Sequence, residues 1–142
     1  MPKVSFAFFA TGALAVLVGM TMGMWMGATQ QFTLSPVHAH INLIGWASMG
    51  LMGTFYALAG DRAPRRLAWV NYGLVTVGLV IMAPSLGKML LGDPSFEKVV
   101  IASSMIVFAG ALTFFVAILM TWRNSSSAAR PASGVAATMP AE

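Results

Sequence analysis

Cysteine is absent from this chain, which removes disulfides, thiolate metal sites and cysteine nucleophiles together. Iron–sulfur and structural zinc centres lose their usual ligands by the same absence. Charge is nearly as scarce. Only 8% of the 142 residues are Asp, Glu, Lys or Arg, far below the roughly 25% of a soluble globular domain and too few to face water all round. Carboxylates number four, and Asp61 and Asp93 both fall in loops. No Ser–His–Asp set is therefore credible, and no carboxylate stands within an apolar run to relay protons. No glycine-rich phosphate loop occurs. Arg62, Arg65 and Arg66 cluster in one short loop with no basic face beside them, so nucleic acid is not expected as a partner.

What remains is apolar: 58% of the residues are hydrophobic, and they fall into four runs, each longer than the ~20 residues that cross a ~30 Å hydrocarbon layer. The fold class expected is all-α, a four-helix transmembrane bundle in one domain, residues 1–122. Its spans lie at about 5–28, 36–60, 67–91 and 98–122. The Ser-, Ala- and Pro-rich stretch 123–142 is expected to be a disordered tail. The first run, Ser5 to Ala28, exceeds the ~7–15 apolar residues of a secretory signal and reads as a retained helix. Ser35 before Pro36 reads as a capping hydroxyl followed by Pro at the first helical position. Pro84 should kink the third span, and Gly92-Asp93-Pro94 make a turn. If the spans alternate, Lys3, Arg62, Arg65, Arg66, Arg123 and Arg130 share one side, while Lys88 and Lys98 lie on the other beside Asp93 and Glu97. The positive-inside rule then places both termini in the cytoplasm, and the expected location is a bacterial inner membrane.

The only two histidines are His38 and His40, near the outer start of the second span. Each residue turns an α-helix by about 100°, so the pair points roughly 200° apart and cannot grip one metal from one helix. Ligands for that would stand at i and i+4. Two opposed imidazoles serve two sites, or two copies of one site. On the His38 side follow Asn42, Gly45, Met49, Gly53 and Tyr56, a small and polar stripe that suits a packed interior or a cofactor face. His40 looks along the more apolar Ile44, Ala47 and Leu51. Imidazoles satisfied by water and loop carbonyls near the interface are the plainer alternative. Ionisable groups inside membrane spans nonetheless point to function by default.

The run His38-Ala39-His40-Ile41-Asn42-Leu43-Ile44-Gly45-Trp46, continuing to Gly53 and Tyr56, resembles the tenth helix of the catalytic subunit of haem–copper oxidases, closest to the C-type and nitric-oxide-reductase branches. In that family one histidine of an H-x-H pair ligates the high-spin haem, and the other ligates the low-spin haem on the opposite side of the helix. The resemblance covers about twenty residues. The family's copper ligands and the second ligand of its low-spin haem have no counterpart here, so a complete haem–copper centre in one chain is excluded. Because the family's twelve helices form a pseudo-threefold set of four-helix units, the resemblance implies a homotrimer of twelve helices. His38 of one copy and His40 of the next would then supply the axial ligands of a haem b.

Other features are weighed beside this. Gly19, Gly23 and Gly27 form two G-x-x-x-G steps that favour close helix packing, with a surface for a flat porphyrin as the alternative. Twelve methionines, including the alternating Met20, Met22, Met24 and Met26, make copper with His38 and His40 the rival cofactor, although most serve as flexible filler. Lys88 either snorkels to the outer interface or pairs with a haem propionate. Trp46 and Tyr56 are expected to border the cofactor and Asn42 to bond within the stripe or to the porphyrin edge, while Asn71 carries no signal. The expected function is a b-type haem protein for electron transfer or redox sensing, with quinol or another redox partner. The alternatives are a minimal oxidase or reductase with an open iron site, and a copper-handling or respiratory-complex assembly protein.

Overall fold

The computed structural model describes residues 1–128 and is all-helical over them. The helix α1 is Lys3–Thr29. The second, α2, runs continuously over Ser35–Arg62, α3 is Arg65–Leu90 and α4 is Glu97–Ala128. All four are long and apolar enough to cross a membrane. The remainder of the tail expected at 123–142 lies outside the described residues beyond Ala128, and its first part departs from expectation because α4 continues through it. Thr121 Oγ1 and Ser125 Oγ both turn back onto carbonyls four residues earlier, so these hydroxyls are satisfied within the helix instead of opening it.

The breaks fall where backbone chemistry demands them. Gln30 takes the left-handed conformation after α1, and Gly60 and Gly92 carry positive φ at the ends of α2 and α3, a region that glycine enters without a Cβ penalty. At the start of α2, helical geometry begins one residue earlier than expected, at Ser35. The Ser35 hydroxyl donates back to the Phe32 carbonyl at 2.7 Å, and no side chain caps the first amides. Pro36 still sits in the first turn, where its missing N–H is harmless. The helix α3 passes through Pro84, and the neighbouring Ser85 hydroxyl donates to the Ile81 carbonyl at 2.7 Å.

Helices α1 and α2 pack antiparallel in close register. Gly53 meets Phe8, Gly45 meets Ala15, Asn42 fills the space at Gly19, and His38 fills the space at Gly23. A second close pair is formed by α3 and α4, where Gly78 lies on Val107 and Ser103, and Gly110 lies on Val75. The core sits in the half of the bundle that holds the start of α1. Phe8 stacks on Tyr56 with ring centroids 5.6 Å apart, and Tyr72, Phe55 and Phe114 close around them edge-on. Through the middle runs a polar clasp: Tyr56 OH donates to Asn71 Oδ1 (3.2 Å), and Asn71 Nδ2 donates to the Gly110 carbonyl (2.8 Å). Asn71 is fully buried, so this clasp ties α2, α3 and α4 together where water cannot compete for the hydrogen bonds.

One feature of α2 breaks the uniform 100° step. Ile41–Ser48 is π-helical, beginning directly after His40. Its wider turn is visible in the Met49 amide bonding to the Ile44 carbonyl five residues back and in the Ser48 hydroxyl reaching Leu43 O at 2.8 Å. Such wide turns are frequent at functional sites.

Candidate functional site around the histidine pair

His38 and His40 both lie on the α-helical first turns of α2, Ser35–His40, upstream of the wide turn. His38 enters the α1–α2 contact. Its Nδ1 is 2.9 Å from the Gly19 carbonyl of α1, and Gly23 is the reason the ring fits: a Cβ there would stand 3.0 Å from His38 Cε1. His40 makes no such reach across helices. Its Nδ1 lies 2.6 Å from the carbonyl of Pro36, one turn back on the same helix.

A carbonyl oxygen can only accept, so in each neutral imidazole Nδ1 must carry the proton and Nε2 must carry the lone pair. That is how a metal-ligating histidine is ordinarily held, with one ring nitrogen tied to a carbonyl and the other left as donor to the metal. Asn42 attends His38. Its amide donates to the His38 carbonyl at 2.8 Å and sits 3.3 Å from Nδ1 and 3.4 Å from Nε2. The amide thus lies near both ring nitrogens and on neither alone. Gly19 accommodates that amide, because a Cβ at position 19 would overlap the Asn42 side chain.

The remaining expected site residues are placed as follows. Gly45, Met49, Gly53 and Tyr56 form the packed interior of this chain. A Cβ on Gly45 would strike Ala15 and Leu79, one on Gly53 would strike Phe8, and Met49 and Tyr56 are sealed in the core. Tyr56 is also 18 positions beyond His38, about 27 Å along an α-helix, and its hydroxyl is committed to Asn71. Trp46 is half exposed on the outer surface, with one ring edge near Gly12. Lys88 stands at the right height, since Gly87 lies near Val37 and Leu34, but its ammonium sits 4.8 Å over the Phe96 ring. The structure thus brings together His38, Asn42, Gly19 and Gly23, and sets His40 apart with its own lone pair.

Two further groups complete the picture. Asp93, in the turn after α3, has its carboxyl held below the ordinary range by the Ser95 hydroxyl and amide and then by the charge of Lys88. An apolar cavity of about 530 Å³ opens on α1 between Leu17, Val18, Met22, Trp25 and Leu34, with Thr21 its one polar side chain; neither histidine lines it. Asn71 is the structurally important residue the sequence did not flag. Its only signal was an amide within an apolar run, which a buried hydrogen-bonded group also explains. Among the described residues no cluster of three or more His, Cys, Asp or Glu side chains could hold a metal ion, so any metal site has at most the two imidazoles as nitrogen ligands. Comparison with protein-family models, with curated proteins and with solved structures finds no match to this chain.

Proposed function

We propose that this chain is a multi-pass membrane haem protein in which His38 and His40 would hold haem iron through Nε2, each chain contributing its two imidazoles to two different irons. The observation that carries this reading is the pair of Nδ1–carbonyl contacts, at 2.9 Å for His38 and 2.6 Å for His40, which fix both rings in the tautomer a metal requires. The donor set fits haem iron: neutral imidazoles, no thiolate, and no third ligand that would favour a closed zinc site. Its two members aim apart, so the iron is shared between copies, and a homotrimer is the assembly that returns the twelve-helix count of the oxidases the H-x-H run resembles.

The roles of the chain's own groups follow. The Gly19 and Pro36 carbonyls hold the imidazole protons and so orient the rings. Asn42 restrains the His38 ring, and the packed stripe below it keeps that turn of α2 from shifting. A haem held by the two imidazoles would supply one-electron transfer, which favours a role in electron transfer or redox sensing. With the arginine-bearing ends cytoplasmic, the histidines lie toward the outer face of a bacterial inner membrane, where quinol or another redox partner would meet them.

The test is the absorption spectrum of the purified protein. A b-type spectrum that disappears in His38→Ala and in His40→Ala is expected. A colourless preparation overturns the proposal. Carbon monoxide binding to the reduced protein would replace it with an open-site oxidase or reductase, and stoichiometric copper without haem would replace it with a copper-handling or assembly role.

A further inference from the structure

At the opposite end of the bundle from the histidines, the start of α1, the end of α2 and the start of α3 enclose a cavity of about 520 Å³. Lys3 and Arg65 line it together with Asp61, and Val4, Ala68 and Trp69 supply apolar wall. Among the lining groups the cations, Lys3, Arg65 and the Met1 α-ammonium, outnumber the one carboxylate, so the cavity is net positive. Arg62, by contrast, does not line it, and its guanidinium is spent on the carbonyls of Ala59 and Leu58 at the end of α2. The cavity therefore has uncompensated positive charge beside an apolar wall, at a level where the helices end. Trp69, on its rim, is 41% exposed, as an amphipathic ring is at a membrane–water interface.

From this charge and this placement, we propose that the cavity binds the phosphodiester of a membrane phospholipid. Lys3 and Arg65 take the phosphate oxygens, and the glycerol end of the acyl chains lies against Val4, Ala68 and Trp69. The net positive charge of the cavity complements the negative charge of a phosphodiester, and the apolar wall distinguishes a lipid from a free anion. A guanidinium and an ammonium are the donors that phosphate oxygens accept most strongly. The site is independent of the histidine pair and stands or falls without it.

The test uses the delipidated full chain in detergent, with binding read by native mass spectrometry. The probes are phosphatidylglycerol, diacylglycerol of the same chain length, and inorganic phosphate. Phosphatidylglycerol should bind in a 1:1 adduct that weakens as salt is raised, while diacylglycerol and inorganic phosphate should leave no comparable adduct. Lys3→Gln and Arg65→Gln should each weaken the adduct roughly fivefold, and the double variant by the product of the two. Lys3→Arg should retain it, as should Lys98→Gln at the other end. Both substituted side chains are exposed, and a helical melting curve checks that each variant is folded. Equal binding by the double variant and the unaltered protein overturns the proposal, as does an adduct with diacylglycerol of the same strength. Inorganic phosphate that binds as tightly and competes with the lipid would assign the cavity to a free anion and equally overturn it.

Discussion

The α1–α2 contact has two halves built on opposite principles. Near the start of α1 it is filled by large rings: Phe8 on Tyr56, closed by Tyr72, Phe55 and Phe114. Near the end of α1 it is emptied by glycines, and the space at Gly19 and Gly23 is taken by an amide and an imidazole that belong to α2. The first half is interlocked: it carries the Tyr56–Asn71–Gly110 clasp and a Thr11–Tyr72 hydroxyl pair, and buries the Ser5 hydroxyl without a partner. The second brings two polar side chains to a helix–helix contact in a chain otherwise fit for lipid. Association within a bilayer rests on van der Waals packing and interhelical hydrogen bonds, not on hydrophobicity, so the aromatic half contributes most to stability. The glycine half is the one that bears the histidines.

The largest effects should therefore come from the aromatic half and leave the histidines untouched. Phe8→Ala and Tyr56→Ala remove rings from a sealed core and should each lower unfolding stability by about 3–5 kcal/mol, measured by denaturant unfolding in detergent. Tyr56→Phe keeps the ring but strips Asn71 Oδ1 of its donor in a buried setting, for about 1–3 kcal/mol. If these variants unfold no earlier than the unaltered protein, the division of labour between the halves is wrong.

Next come the glycines. Gly19→Ala would force the Asn42 amide out of its seat, and Gly23→Ala would press on His38 Cε1; overpacking of this kind costs about 1–3 kcal/mol. Under the proposed haem ligation their diagnostic consequence is spectral: a displaced imidazole should lose the haem band at temperatures where the fold survives. Gly27 is the internal control. A Cβ there meets nothing within 4 Å, so Gly27→Ala should be neutral or stabilise by up to about 1 kcal/mol through helix propensity, with the spectrum unchanged. A Gly27→Ala that behaved like Gly19→Ala would show that the whole glycine series packs on something outside this chain.

Much of this organisation is legible in the residues, and the reasons differ by element. The four spans follow from uninterrupted apolar runs, and their ends from Gly60, Pro64, Gly92 and Pro94, because hydropathy and backbone sterics act locally. The burial of Gly45, Met49, Gly53 and Tyr56 on one side of α2 also follows from helical spacing, although whether that side meets protein or a cofactor does not. The wide turn at Ile41–Ser48 has no marker, since no Pro or paired breaker interrupts Ile-Asn-Leu-Ile-Gly-Trp-Ala-Ser, and the extra rotation arises from tertiary fit. Nor does spacing reveal Nδ1 of His38 on the carbonyl of Gly19, which depends on two positions 19 residues apart. Asn71 is opaque for the same reason: its worth lies in partners from α2 and α4 that only the assembled bundle supplies.

The smallest effect is expected at Lys88, and it sharpens the comparison most finely. The residue sits at the height of the histidines yet places its ammonium over Phe96, 4.8 Å from the ring centroid. At an exposed site such a contact contributes about 0.5–1 kcal/mol. Lys88→Met should therefore shift the unfolding midpoint only slightly, and Phe96→Leu should shift it by no more. The double variant should lose no more than Lys88→Met alone, because that substitution already removes the ring contact together with the charge beside Asp93. The haem spectrum and midpoint potential should stay fixed throughout. A potential that moved in Lys88→Met but not in Phe96→Leu would mean the ammonium leaves the ring to meet a propionate, and that the polar half of the bundle reaches across to α3.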